Sequence, residues 1–137
     1  MSGVRDLDRL LAEMAPQLRD ETFVFCTVPH DEAERWLRLR PLGTFLEAEG
    51  LTLILTAAVA AENGIGGSAP MRMITLAVNS SLEAVGLTAA VAGTLAQAGI
   101  SANVVAAYHH DHIFVPAAEA ERALETLRAL SQNGCGR

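Results

Sequence analysis

Between residues 71 and 116 the hydrophobic pattern keeps changing period, and each change predicts a new element. A β-prone run over 71–78 ends at the turn-forming Asn79-Ser80-Ser81, after which Leu87, Val91, Leu95 and Ala98 recur at helical spacing on one face. Gly99 stands where a left-handed cap would stop that helix. From Ile100 the pattern predicts a strand to residue 107, a polar turn around 109–111, and a short strand over 113–115 closed by Pro116. This order of strand, helix, strand, strand is most of a ferredoxin-like unit, in which helices cover one face of an antiparallel sheet. A last helix, reaching residue 130, aligns Leu124, Leu127 and Leu130 opposite Arg and Glu. No further strand follows it, so the missing fourth strand is expected from the first half of the chain.

In that first half, Leu7, Leu10, Leu11 and Met14 predict an amphipathic helix ended by Pro16. A strand over 22–28 follows. The charged stretch 31–40 around Trp36 reads as either a short helix or a surface loop. Runs over 42–48 and 51–56 flank Glu49-Gly50 and predict a hairpin in which the glycine supplies a positive φ. Leu51, Leu53 and Leu55 alternate with Thr52, Ile54 and Thr56, as a sheet covered on one face requires. A short Ala-rich helix over 57–63 leads into Gly64-Ile65-Gly66-Gly67-Ser68-Ala69-Pro70, which reads as a linker. The expected organisation is therefore an incomplete unit over 1–66 and a second over 71–137, each depending on the other to fold.

Composition narrows the function. The 137 residues suffice for one ordinary domain or two very small ones. Half are hydrophobic but only 4% aromatic, so the core must be aliphatic and base-stacking surfaces are not expected. A net charge of −6 with no cluster of basic residues argues against nucleic acid as a partner. All ten basic residues are arginine, which excludes Schiff-base chemistry by a lysine amine. The acidic excess lies in residues 1–70 and reads as a solvated face. Cys26 sits in an apolar run and Cys135 in a Gly-flanked tail, a poor disulfide framework in which Cys26 acts as a small hydrophobe. The chain opens without a signal-like segment, and 50–61 is too short to span a bilayer, so no membrane partner and a cytoplasmic location are expected.

Glu83, Gly86, Leu87 and the helix exit Ala98-Gly99-Ile100 together carry a family resemblance. They stand where an ACT domain places an acidic residue three positions before a glycine and an aliphatic residue, followed by a helix with an Ala-Gly-Ile-like end. The second half thus resembles the ACT domain, although glutamate occupies a position where aspartate is commoner. The first half carries ACT-sized pieces, so the whole resembles small bacterial tandem ACT-like proteins of undefined function. The resemblance implies an α+β fold of ferredoxin-like (βαββαβ) units, with an antiparallel sheet and helices on one face. It also implies a regulatory module that binds a small molecule such as an amino acid, with no catalytic domain, no enzymatic activity and no cofactor. Open sheet edges predict a homodimer or a larger homo-oligomer.

The loop entering the second-half helix is the first candidate site, through Asn79, Ser80, Ser81, Glu83, Val85, Gly86 and Leu87. Ser80-Ser81-Leu82-Glu83 matches a capping box, a purely structural role. Helix entry delayed to Gly86 would instead leave backbone amides free to hold a ligand carboxylate. Asp111 is the candidate partner for a ligand ammonium group. The cluster 108–112 offers a second chemistry: in an extended chain His110 and His112 share a face and could ligate a transition metal, with a third ligand still needed. Its alternative is a polar hairpin turn. Glu47 and Glu49 would project to one side of a hairpin, where exposed carboxylates are ordinarily solvated. A ligand-free role in protein interaction and, ranked last, an unrecognised enzyme complete the alternatives.

Overall fold

The structure, a computed structural model, describes residues 3–78 and 84–135. The chain forms two compact units, Asp20–Met71 and, discontinuously, Met1–Arg19 with Arg72–Arg137. The first nineteen residues thus share a compact unit with the second half of the chain. No helix among the described residues is long and apolar enough to cross a membrane.

In the Asp20–Met71 unit, strand β1 (Gln17–Val28) leads through a 3-10 turn into the short helix α2 (Ala33–Leu37), the second helix of the chain. The 31–40 stretch is therefore helical in part. Strands β2 (Gly43–Leu46) and β3 (Leu51–Thr56) form the expected hairpin, and helix α3 (Ala57–Glu62) follows. The strand order is β2-β3-β1 with both pairings antiparallel. Register sets Leu51, Leu53 and Leu55 opposite Val28, Cys26 and Val24, and all six are buried under Trp36 and Ala60. Thr56 starts α3 by accepting a hydrogen bond from the Val59 amide at 3.2 Å.

Two glycine-bearing segments of this unit behave differently from their sequence reading. Gly50 is not among the positive-φ glycines. It is needed because a Cβ there would lie 2.6 Å from the Val28 carbonyl oxygen, so the constraint is a close approach between backbones. The 64–70 segment is no free linker either. The Ser68 amide donates to the Phe25 carbonyl at 2.9 Å, and the Phe25 amide donates to Ser68 Oγ at 3.0 Å. Gly67 sits so close to Val24, Phe25 and Cys26 that an added Cβ would meet Cys26 Sγ at 2.9 Å. Small residues chosen for close packing on β1 look, in sequence alone, like flexible ones.

The discontinuous unit contains helix α1 (Gly3–Glu13), the opening residues of β1, strand β4 (Met71–Thr75), helix α4 (Ala84–Gln97), strands β5 (Asn103–Ala106) and β6 (Asp111–Pro116), and helix α5 (Ala120–Cys135). Its strands run in the order β4-β6-β5, and the Arg72 guanidinium donates from Nε and Nη2 to the Arg19 carbonyl at 3.1 and 2.7 Å. Leu87, Val91 and Leu95 of α4 face Ile74, Ile113 and Val115 of the sheet, with Ala123, Leu124 and Leu127 of α5 completing the core. Gly99, at φ 76°, ends α4 as expected. The Ile100 amide bonds the Leu95 carbonyl and the Gly99 amide the Ala96 carbonyl, both at 2.9 Å, the paired bonds of a Schellman cap. Helix α1 packs on α5 and α4, and its Leu11 and the following Met14 are buried in the same core.

Candidate functional site

Two backbone bonds hold the residues that follow β4. The Leu76 amide donates to the Asp111 carbonyl at 2.9 Å, and the Ala77 amide donates to the Met14 carbonyl at 2.6 Å. Asn79, Ser80, Ser81 and Glu83, together with the capping-box pattern they form, lie outside the described residues. Val85 falls in the first turn of α4. Leu87 is fully buried and belongs to the core, so its side chain packs the fold. At Gly86 an added Cβ would meet Leu7 Cδ1 and Cδ2 at 3.5 and 3.6 Å, so this glycine faces α1 at ordinary contact distance.

Asp111 differs from its sequence reading. The polar run suggested a turn residue, yet it is the first residue of β6, paired with Ala106 and only 7% exposed. The turn closes one pair further out, where the Ala107 amide donates to the His110 carbonyl at 3.0 Å. The β5–β6 hairpin thereby sets a buried carboxylate at the start of β6, on the residue that accepts from Leu76 just beyond β4, a juxtaposition that a linear polar cluster does not display.

Thr75 and Arg19 join this neighbourhood without a signal in the sequence. Thr75 Oγ1 lies 3.0 Å from His112 Nδ1, since alternate residues of β4 and β6 share a face. Burial pushes the His112 imidazole below its ordinary pKa, the positive charges of His110 and Arg19 push it further, and Asp111 opposes them. A histidine depressed in the folded state binds fewer protons than in the unfolded chain. Its contribution is therefore intact above about pH 6.5 and is lost as pH falls from there through the lowered folded value. Wild type is expected to lose more stability than His112→Gln between neutral and mildly acid pH. Urea titrations of both proteins across that range check this; parallel pH dependences would refute it.

The remaining rings line the hairpin tip. Tyr108 and His109 meet edge to face at 4.9 Å between centroids, and His110 and His112 stand 6.4 Å apart. Among the described residues, no three His, Cys, Asp or Glu side chains are grouped so that they could hold a metal ion. Glu47 is exposed and tied locally: Oε1 accepts from Thr52 Oγ1 at 2.5 Å, and its carbonyl accepts from His30 Nε2 at 2.6 Å. Burial raises the pKa of the Cys26 thiol, which keeps it protonated and suits its place as a small core hydrophobe.

Residues 2–72 match one ACT domain family model and residues 68–129 match another. A protein of unknown function from Vibrio cholerae, a possible transport protein, is 48% identical over 96% of this chain and 100% of its own, with a TM-score of 0.85. The ligand-free regulatory subunit of aspartate kinase from Thermus thermophilus shares the fold at 12% identity and a TM-score of 0.65, covering 86% of this chain and 97% of that one. Aspartokinase III of E. coli, in complex with aspartate and ADP, aligns at 16% identity and a TM-score of 0.61 over 85% of this chain and 33% of its own. No curated protein matches the sequence. ACT domains are regulatory ligand-binding modules, and the α+β architecture of helices on antiparallel strands agrees with that assignment. On two family matches in tandem and a near-complete relative of almost half identity, the chain belongs to the ACT domain family.

Proposed function

We propose that this chain is a non-catalytic regulatory module that binds an amino acid or a similar zwitterion at the entry to α4, as a cytoplasmic protein assembled from more than one copy. The observation that carries the reading is the buried Asp111 carboxylate, on the residue whose backbone carbonyl accepts from the Leu76 amide just beyond β4. A ligand ammonium group has its partner there. Helix α4 runs from Ala84, not from Gly86, so Gly86 lies in its first turn with the amides of its positive end, where a ligand carboxylate is favoured. Gly86 contributes backbone alone, with Leu7 closing its far side.

A thermal-shift screen against the twenty amino acids tests this. A ligand at about a hundredfold over its dissociation constant adds roughly 2.7 kcal/mol, or about 5–10 °C for a chain of this size. The shift is expected for one chemical type of amino acid and is expected to vanish in Asp111→Asn. A wild type that responds to none of them refutes the proposal, as does an Asp111→Asn variant that responds fully.

A further inference from the structure

The histidine-rich end of the β5–β6 hairpin carries a polar cluster that neither the core nor the α4 entry uses. Alternation along β6 sends Asp111, Ile113 and Val115 to one face and His112 and Phe114 to the other. Ile113 and Val115 belong to the core under the helices, so His112 lies on the face turned away from it. There Thr75 Oγ1 meets His112 Nδ1 at 3.0 Å. His110, two residues earlier, falls on the same face, and the two rings stand 6.4 Å apart at 79°.

Positive charge gathers at this point. The His110 imidazole and the Arg19 guanidinium both act on the His112 ring, and the Asp111 carboxylate that opposes them is buried on the other face of β6. The cluster runs against the net charge of −6 on the whole chain. Because Nδ1 is engaged with Thr75, Nε2 is the ring nitrogen that can meet a ligand, and it donates whenever Thr75 donates to Nδ1 or the ring is charged. Buried Phe114 follows His112 on this face of β6, and buried Met73 precedes Thr75 on β4. Apolar neighbours of this kind strengthen the pull of half-buried donors on an anion.

We propose that this face binds a phosphate group, held by His112 Nε2, the His110 imidazole and the Arg19 guanidinium. The two rings are too far apart to bond each other directly, yet two oxygens of one tetrahedral anion can reach both. Charge selects an anion over a metal ion, because Arg19 would repel a cation placed between the histidines and attracts a phosphate. A dianion gains more from these donors than a singly charged carboxylate does. The site lies on the face of β6 opposite Asp111, so it stands whether or not an amino acid binds at the α4 entry.

Isothermal titration calorimetry of the full chain with inorganic phosphate, at about pH 6.5 where histidine titrates, provides the test. Parallel titrations use glycerol 3-phosphate, acetate and nickel. Saturable binding of phosphate or its ester is expected, the tighter of the two identifying a free ion or an esterified group, with acetate weaker than either. Arg19→Gln and His112→Gln are each expected to weaken the dissociation constant on the order of tenfold. Arg38→Gln removes the same charge from an exposed site in the other unit and is expected to leave it unchanged. A second measurement needs no variant: in proton NMR of the wild type, phosphate is expected to shift the ring resonances of His110 and His112 and to leave those of His30 in place. Absence of saturable phosphate binding overturns the proposal. So do equal losses in Arg38→Gln and Arg19→Gln, full binding by His112→Gln, tighter binding of acetate, or nickel taking the two histidines in preference to phosphate.

Discussion

Deleting residues 1–16 is expected to abolish cooperative unfolding of the unit that contains the second half of the chain. Helix α1 and the residue after it supply Leu11 and Met14, both buried, and α1 brings Leu7 against the same core. Its end is bonded in place: the Met14 carbonyl accepts from Ala77, and the Ala12 carbonyl accepts from Ser131 Oγ at 3.3 Å. Truncating one such buried side chain to alanine costs about 2–5 kcal/mol, whereas a whole domain is stable by about 5–15. Losing the helix removes several of them together and bares Leu124 and Leu127 to water. The fragment 71–137 lacks both α1 and the opening of β1, so it is expected to be poorly folded as well. Denaturant titrations followed by circular dichroism decide the matter. A sigmoidal transition from either truncated chain would defeat the argument, and Met14→Ala in the full chain, expected to lose about 3 kcal/mol while still folding, separates a packing loss from a general failure to fold.

Gly50→Ala is expected to cost about 2–3 kcal/mol, far more than its one added methyl suggests. That methyl would stand 2.6 Å from the Val28 carbonyl oxygen and 3.0 Å from Thr27 Oγ1. The first of these is backbone, and it cannot step aside cheaply because Val28 is held in register opposite Leu51. Gly43→Ala is the control, since its nearest neighbour would be Ile54 Cδ1 at 3.5 Å, an ordinary contact at the end of a side chain. Chemical denaturation of the two variants should therefore separate them by about 2 kcal/mol or more. Equal losses would mean that the close approach at Gly50 relaxes freely.

Local signals were legible where periodicity and cap chemistry decide the structure. The alternation of Leu51, Leu53 and Leu55 is the burial pattern of β3, and Gly99 sits in the left-handed cap that its place after Ala98 implies. The stripe of Leu7, Leu11 and Met14 predicts a helix, but its partners lie far along the chain, from Ala77 for Met14 to Ser131 for Ala12, and no local pattern encodes those distances. Glycines misled for a related reason. Gly50 and Gly67 are small because another backbone or side chain comes close, and a tertiary approach leaves the same letter in the sequence as a turn does. Of the candidate site, Asp111 was found as a residue but placed in a turn, because its polar neighbours hide the start of β6. Leu87, which periodicity sets on the apolar face of α4 and spacing sets in the candidate loop, is a core residue.

The discontinuous unit sets an order of events during synthesis. The smaller unit is one uninterrupted stretch and can condense as soon as residue 71 has emerged. Residues 1–19 must wait for α4, β6 and α5, which at about 5–20 residues per second keeps the apolar stripe of α1 without its native partners for on the order of ten seconds. For that interval the nascent chain presents a greasy amphipathic helix ahead of a finished neighbour. Chaperone capture at α1, and a sensitivity of yield to elongation rate that a circular permutant starting near residue 71 would relieve, are the biogenesis counterparts of this packing.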